Sequence, residues 1–115
     1  MNLVMPGLDG LKKMAQLMAD LRANPPKKVG GTAVAQWKDY QDGSVVDANT
    51  GARTTMELSG SNVLRYELVD GTSVIVRPSG TEPKVKVYIL ANGATQEESE
   101  AKVAKYAAWA ESLKG

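Results

Sequence analysis

The chain has 115 residues, with 14 Lys plus Arg against 13 Asp plus Glu, a net charge of +1, and no Cys, His or Phe. That length makes one domain, residues 1–115, able to bury roughly two-thirds of its unfolded-chain surface. The missing residue types exclude disulfides, a Cys/His zinc site, a thiolate nucleophile and a Ser-His-Asp triad, and the balanced charge argues against nucleic-acid or membrane binding through bulk electrostatics.

No run approaches the about 18 apolar residues of a membrane-spanning helix, and no basic segment precedes an apolar stretch at the N-terminus. The sequence therefore reads as a non-exported, cytoplasmic protein, with which the absence of Cys is compatible. Met1-Asn2-Leu3-Val4 reads as a native start or a remnant of cloning, and residues 1–8 as cloning-derived or an interdomain linker.

Leu11, Met14, Ala15, Met18 and Leu21 recur at helical spacing, which predicts a helix over residues 9–23 with Asp9 as N-cap and Asn24-Pro25-Pro26 as its stop. Lys27-Lys28-Val29-Gly30-Gly31 reads as a linker, and residues 32–40, rich in β-branched and aromatic types, as a strand. The polar, glycine-punctuated stretch 41–60 reads as a long loop with at most a short extended piece near residues 54–58. Leu64, Tyr66 and Leu68 alternate with Arg65 and Glu67, Asp70-Gly71 marks a turn, and Thr72 to Arg77 continues as the second arm of a hairpin. Val85, Val87 and Ile89 alternate with Lys84, Lys86 and Tyr88 in a further strand. After Asn92-Gly93, Thr95 and Glu98 form a capping-box pattern for a helix over residues 96–113, with Val103, Tyr106, Ala107, Ala110 and Leu113 on one face.

The element order α-β-β-β-β-α predicts an α+β fold: a four-stranded antiparallel sheet with two helices packed on one face. Polar positions on the strands leave the opposite face open to solvent or another domain. Trp37 and Tyr40 are read as packing residues in preference to a sugar-stacking platform. Met5, Met14, Met18 and Met56 are read as gap fillers. Asp39, Asp42 and Asp47 lack metal-loop spacing and are read as solvated loop charge.

One segment carries chemistry: Arg77-Pro78-Ser79-Gly80-Thr81-Glu82-Pro83-Lys84, between two strands. The two prolines pre-set a short loop, and Gly80 lets a ligand approach the backbone. Ser79 and Thr81 offer hydroxyls, Arg77 a planar fork, and the loop amides a nest, while Lys84 and Lys86 add positive potential at its mouth. Together these suit a phosphate dianion. By residue type alone, the same string also suits an ordinary hairpin loop in which Arg77 pairs with Glu82.

The string from Arg77 to Tyr88 closely resembles the signature of the C-terminal domain of the α-D-phosphohexomutases, the phosphoglucomutase and phosphomannomutase family. Asn62-Val63-Leu64, Asp70-Gly71-Thr72, Gly7-Leu8-Asp9-Gly10 and Leu21-Arg22 are similar to that fourth domain too. The resemblance implies a TATA-box-binding-protein-like fold and a loop, Arg77, Ser79, Gly80 and Thr81, that grips the substrate phosphate, with Glu82, Lys84 and Lys86 in support. It implies no catalytic residue and no metal or other cofactor in this domain: the phosphoserine and the Mg²⁺ ligands belong to other domains of a four-domain parent. The implied partners are a hexose phosphate, with phosphoglucomutase activity ranked ahead of phosphomannomutase, and the other three domains. The isolated domain would be inactive and would bind phosphate weakly. A free-standing protein-interaction module that kept the fold is the competing reading. A complete small enzyme is disfavoured, because no carboxylate pairing suited to acid-base work is recognisable.

Overall fold

The computed structural model describes residues 2–4, 9–57, 59–79, 84–91 and 93–113. In chain order they form β1 (Asn2–Val4), α1 (Gly10–Ala23), β2 (Lys28–Val29), β3 (Thr32–Asp39), β4 (Ser44–Asp47), β5 (Arg53–Thr55), β6 (Leu64–Leu68), β7 (Ser73–Pro78), β8 (Lys84–Leu90) and α2 (Gln96–Ser112). The strands lie in the order β1-β8-β7-β6-β3-β4-β5, with β2 paired to β3 off that path. All the pairings are antiparallel. The α+β class is as the sequence predicts, but the sheet has more strands than four.

Registers set the two faces. Trp37 lies opposite Tyr66, Tyr66 opposite Val74, and Val74 opposite Ile89; the row beside it runs from Leu64 through Val76 to Val87. Because side chains alternate along a strand, these rows share one face. Leu17, Met18 and Leu21 of α1 and Tyr106 and Ala110 of α2 join that face in a single buried cluster. Both helices therefore cover the same side, each fully buried aliphatic side chain contributing about 1.5–3 kcal/mol. Trp109 meets Tyr66 edge-on, with ring centroids 6.3 Å apart.

The four additional strands fall in segments that read as linker or loop. Within residues 1–8, Asn2–Val4 form β1: Leu3 is fully buried and sits opposite Val85, so β1 adds to one edge of the core. A three-residue strand carries too little periodicity to be read locally. Lys28–Val29 pairs back on β3 around Gly30 and Gly31, both at positive φ. Within residues 41–60, β4 buries Ser44 and Val46 while β5 is exposed throughout, so β5 owes its extended form to pairing with β4 and not to a burial pattern.

The helices match prediction closely, with local differences. Asp9 makes no side-chain cap bond, and Leu17 takes the buried place expected of Leu11, which is exposed. At α2 the Glu98 N–H donates to Thr95 Oγ1 at 3.2 Å, and the Glu98 carboxylate accepts from the Ala94 N–H at 2.8 Å, one residue earlier than the standard reciprocal box. Val103 is exposed at the margin of its face. Met18 is buried and Met14 packs against the core, whereas Met5 lies outside the described residues. Trp37 packs against the core as expected, whereas Tyr40 is not part of that cluster and lies beside Arg65.

Candidate phosphate-binding site

Arg77 stands near the end of β7 on the open face, exposed and directly opposite Lys86 of β8. Lys84 lies two residues earlier on the same face of β8. Cross-strand partners sit about 5 Å apart at Cα, where two like charges repel. Among the described residues neither Arg77 nor Lys86 has an ion-pair partner.

Elsewhere on this face the cations are neutralised. Arg65 Nε donates to Glu67, Arg65 Nη2 donates to Ser73 Oγ at 3.1 Å, and Ser73 Oγ donates to the other Glu67 oxygen at 2.6 Å. Lys38 Nζ lies 3.9 Å from the same carboxylate. Burial works against the Arg65 charge, but the Glu67 bond and charge, with Tyr40 beside it, more than compensate and raise its pKa above the ordinary value. Among the described residues, the open-face cations without an ion-pair partner are thus Arg77 and Lys86.

Ser79 is half-buried, and its backbone N–H donates to the Lys84 carbonyl at 2.9 Å. That bond joins β7 to β8 at the base of the loop. Gly80, Thr81 and Glu82 lie outside the described residues.

The structure adds residues that the loop reading does not include. Arg77 and Pro78 line a concavity of about 430 Å³ together with Ser61, Asn62 and Val63. The β6–β7 register, with Leu64 opposite Val76, carries Val63 and Asn62 towards Arg77 and Pro78. Their backbone is pinned: Tyr40 N–H donates to Val63 at 2.9 Å and Ser61 N–H donates to Tyr40 at 3.1 Å. Asn62 Oδ1 accepts from Arg22 Nη2 at 2.6 Å, while Arg22 Nε holds Asp39 at 3.0 Å. The Asn62-Val63-Leu64 string was the available signal for this wall; its position beside Arg77 depends on register.

Asp39 is therefore not loop charge but a strand residue locked to α1. Asp42 and Asp47 do serve their loops. Asp42 accepts from the Ser44 N–H at 2.9 Å, and Asp47 accepts from those of Asn49 and Thr50 at 2.8 and 3.0 Å. Bonds from Ser44 hold the Asp42 carboxyl below its ordinary pKa, and those from Thr50 and Asn49 do the same for Asp47.

Residues 1–108 match the family described as "Phosphoglucomutase/phosphomannomutase, C-terminal domain". The phosphoglucomutase of Staphylococcus aureus strain N315 is 39% identical over 83 residues, 72% of this chain and 15% of that protein. The phosphoglucomutases of strains MRSA252 and USA300 are 37% and 36% identical over the same length and shares. The matching stretch thus spans less than a sixth of each relative.

Proposed function

The chain belongs to the phosphoglucomutase/phosphomannomutase C-terminal domain family, and from that premise we propose that it is the substrate-phosphate grip of a larger phosphohexomutase. The parent enzyme would interconvert hexose 1-phosphate and hexose 6-phosphate through a phosphoserine and a bisphosphate intermediate, in the cytoplasm, with phosphoglucomutase activity ranked first. No helix among the described residues is long and apolar enough to cross a membrane.

The observation that carries the proposal is the Arg77–Lys86 pair: two cations directly opposed with, among the described residues, no carboxylate paired to either, on a face where Arg65 and Lys38 share Glu67. A bound phosphate dianion relieves that repulsion. Arg77 would present its fork to two phosphate oxygens, Lys86 and Lys84 would supply point charge, and Ser79, Gly80 and Thr81 would complete the loop. Such a grip reads the phosphate and little of the sugar. It therefore suits a cycle in which either end of the bisphosphate is held in turn.

No group of three or more His, Cys, Asp or Glu side chains among the described residues is placed to hold a metal ion. The Mg²⁺ that the family resemblance implies would be held by another domain, and what this chain's residues do is bind and orient the phosphate.

Titration of the ¹⁵N-labelled chain with inorganic phosphate and with glucose 1-phosphate tests the reading. Ser79, Lys84 and Lys86 amides should shift with an affinity of about 1 mM, equivalent to about 4 kcal/mol. Arg77→Ala should weaken the response about tenfold or more, since charge-assisted bonds contribute about 1.5–3 kcal/mol each. An unchanged spectrum at high phosphate, or a response indifferent to Arg77, would refute it.

A further inference from the structure

The concavity beside Arg77 has a second polar group in its wall, and the fold holds that group in one orientation. Ser61 and Val63 flank Asn62 in a tight turn, closed by the Val63 N–H donating to the Ser61 carbonyl at 2.9 Å. Such an i to i+2 bond defines a γ-turn, and with no positive φ outside glycine among the described residues it is the common inverse form. Both flanks are tied to the Tyr40 backbone, so the turn is braced from β3. Asn62 stands exposed at its apex and lines the concavity with Arg77 and Pro78.

One end of the Asn62 amide is already engaged. Arg22 Nη2 donates to its Oδ1 at 2.6 Å. A guanidinium has donors only, so the atom facing it is the amide oxygen and the amino group takes the other position. Arg22 is fixed in turn by Asp39, whose oxygens accept from Nε at 3.0 Å and Nη2 at 3.3 Å, while the Gln41 N–H donates to the same carboxylate at 3.0 Å. The Arg22 and Asp39 side chains are 21% and 17% exposed, so this fork is largely sheltered from competing water. Among the described residues the Asn62 Nδ2 amino group has no hydrogen-bond partner. It is an oriented donor in the wall of a cavity that Arg77 also lines.

We propose, resting on the reading that Arg77 holds a phosphate, that Asn62 makes the site prefer sugar phosphates over other phosphate esters: its Nδ2 donates to an oxygen of the sugar. Arg22 and Asp39 are positioning residues that keep the amide turned that way. Placement favours the sugar over the phosphate for this contact. α1 brings Arg22 to Asn62 from the helix side of the sheet, whereas Arg77 stands on the open face, so the two donors reach the cavity from different sides of the sheet end. A ligand longer than one phosphate spans both, and about 430 Å³ falls within the roughly 300–1,000 Å³ of small-molecule sites. A hexose carries oxygen on nearly every carbon, so one donor beside the phosphate finds an acceptor whichever end is held. The contact therefore selects a polyhydroxylated ester without choosing between hexose phosphates, and it stays compatible with a bisphosphate that reverses in the site.

Titration of the ¹⁵N-labelled chain with glucose 1-phosphate, glucose 6-phosphate and cyclohexyl phosphate, a ring ester without hydroxyls, tests this. Both sugar phosphates should bind about fivefold more tightly than cyclohexyl phosphate, the fold-change that one neutral hydrogen bond contributes. Asn62→Ala should erase that preference and leave the affinity for cyclohexyl phosphate unchanged; the side chain is exposed, so the core is untouched. Arg22→Ala should erase it as well, although Arg22 is assigned no contact with the ligand, and a merely structural role would not change one class of ester and spare the other. Equal affinity for all three esters in the unaltered chain, or a preference that survives either substitution, would overturn the proposal. The phosphate grip would still stand in that case if Arg77→Ala weakened all three esters alike. Failure of every ester to bind would overturn both readings together.

Discussion

Tyr106→Phe tests how α2 is fastened to the sheet. The ring is fully buried, and its hydroxyl donates to Asp70 Oδ2 in the β6–β7 turn while accepting from Thr32 Oγ1 at 2.9 Å. Phenylalanine keeps the ring and its packing and removes only those contacts. A hydrogen bond to a carboxylate contributes about 1.5–3 kcal/mol. Here Asp70 keeps the Thr72 N–H at 2.9 Å and Lys102 at 3.7 Å, and its side chain is 23% exposed. Water can therefore replace part of the loss, and the cost at neutral pH should be about 1–2 kcal/mol, or about 5–10 °C in melting temperature.

The pH dependence supplies a sharper check. Burial raises the Asp70 pKa, but the Tyr106 hydroxyl, the Thr72 bonds and Lys102 outweigh it and hold the carboxyl below its ordinary 3.8. A lowered folded-state pKa gives stability that is fully present above the unfolded value and is lost as pH falls through the folded one. The gap between the parent chain and Tyr106→Phe should therefore be constant from neutral pH down to about 5 and narrow below about 4. Urea melts followed by circular dichroism at pH 7 and pH 3 would measure it. Equal stability at pH 7, or a gap as wide at pH 3 as at pH 7, would refute the role given to this contact.

Gly30→Ala should cost about 1–2 kcal/mol in the same melts, because Gly30 has φ +56° and an added Cβ would meet Tyr106 Cδ1 at 3.0 Å. Tyr66→Phe should be neutral or stabilising by up to about 1 kcal/mol, since among the described residues the buried Tyr66 hydroxyl has no hydrogen-bond partner; a loss beyond that range would mean that the hydroxyl is satisfied. Lys86→Glu replaces a like-charge cross-strand pair by an opposite one, so stability should rise by about 0.2–1 kcal/mol while phosphate affinity falls about tenfold or more, separable by melting and by titration.

The elements that could be read locally were those with enough residues to show a period. The hairpin of β6 and β7 announced itself through Leu64, Tyr66 and Leu68 on one face and Asp70-Gly71 at the turn, and α2 through Thr95 and Glu98. β4 and β5 did not, because four residues among glycines and aspartates show no pattern and β5 is exposed throughout. Asp39 was misread for a related reason: its partner Arg22 lies 17 residues away on α1. Arg77, Lys84 and Lys86 were legible as a cationic group from their string, whereas Ser61 and Asn62 gained a place beside them only through the β6–β7 register.

Residue chemistry alone thus excluded thiol, imidazole and zinc chemistry, set two helices against an antiparallel sheet, and marked one loop by its composition. Tertiary structure decided which cations of the open face are paired among the described residues. Glu67 satisfies Arg65 and Lys38 and leaves Arg77 facing Lys86, a distinction that no count of charges contains, since it depends on which strands are neighbours. It likewise decided that Leu3 belongs to the core. Pairing between distant segments is a property of register, and register follows from burying one face of the whole sheet at once.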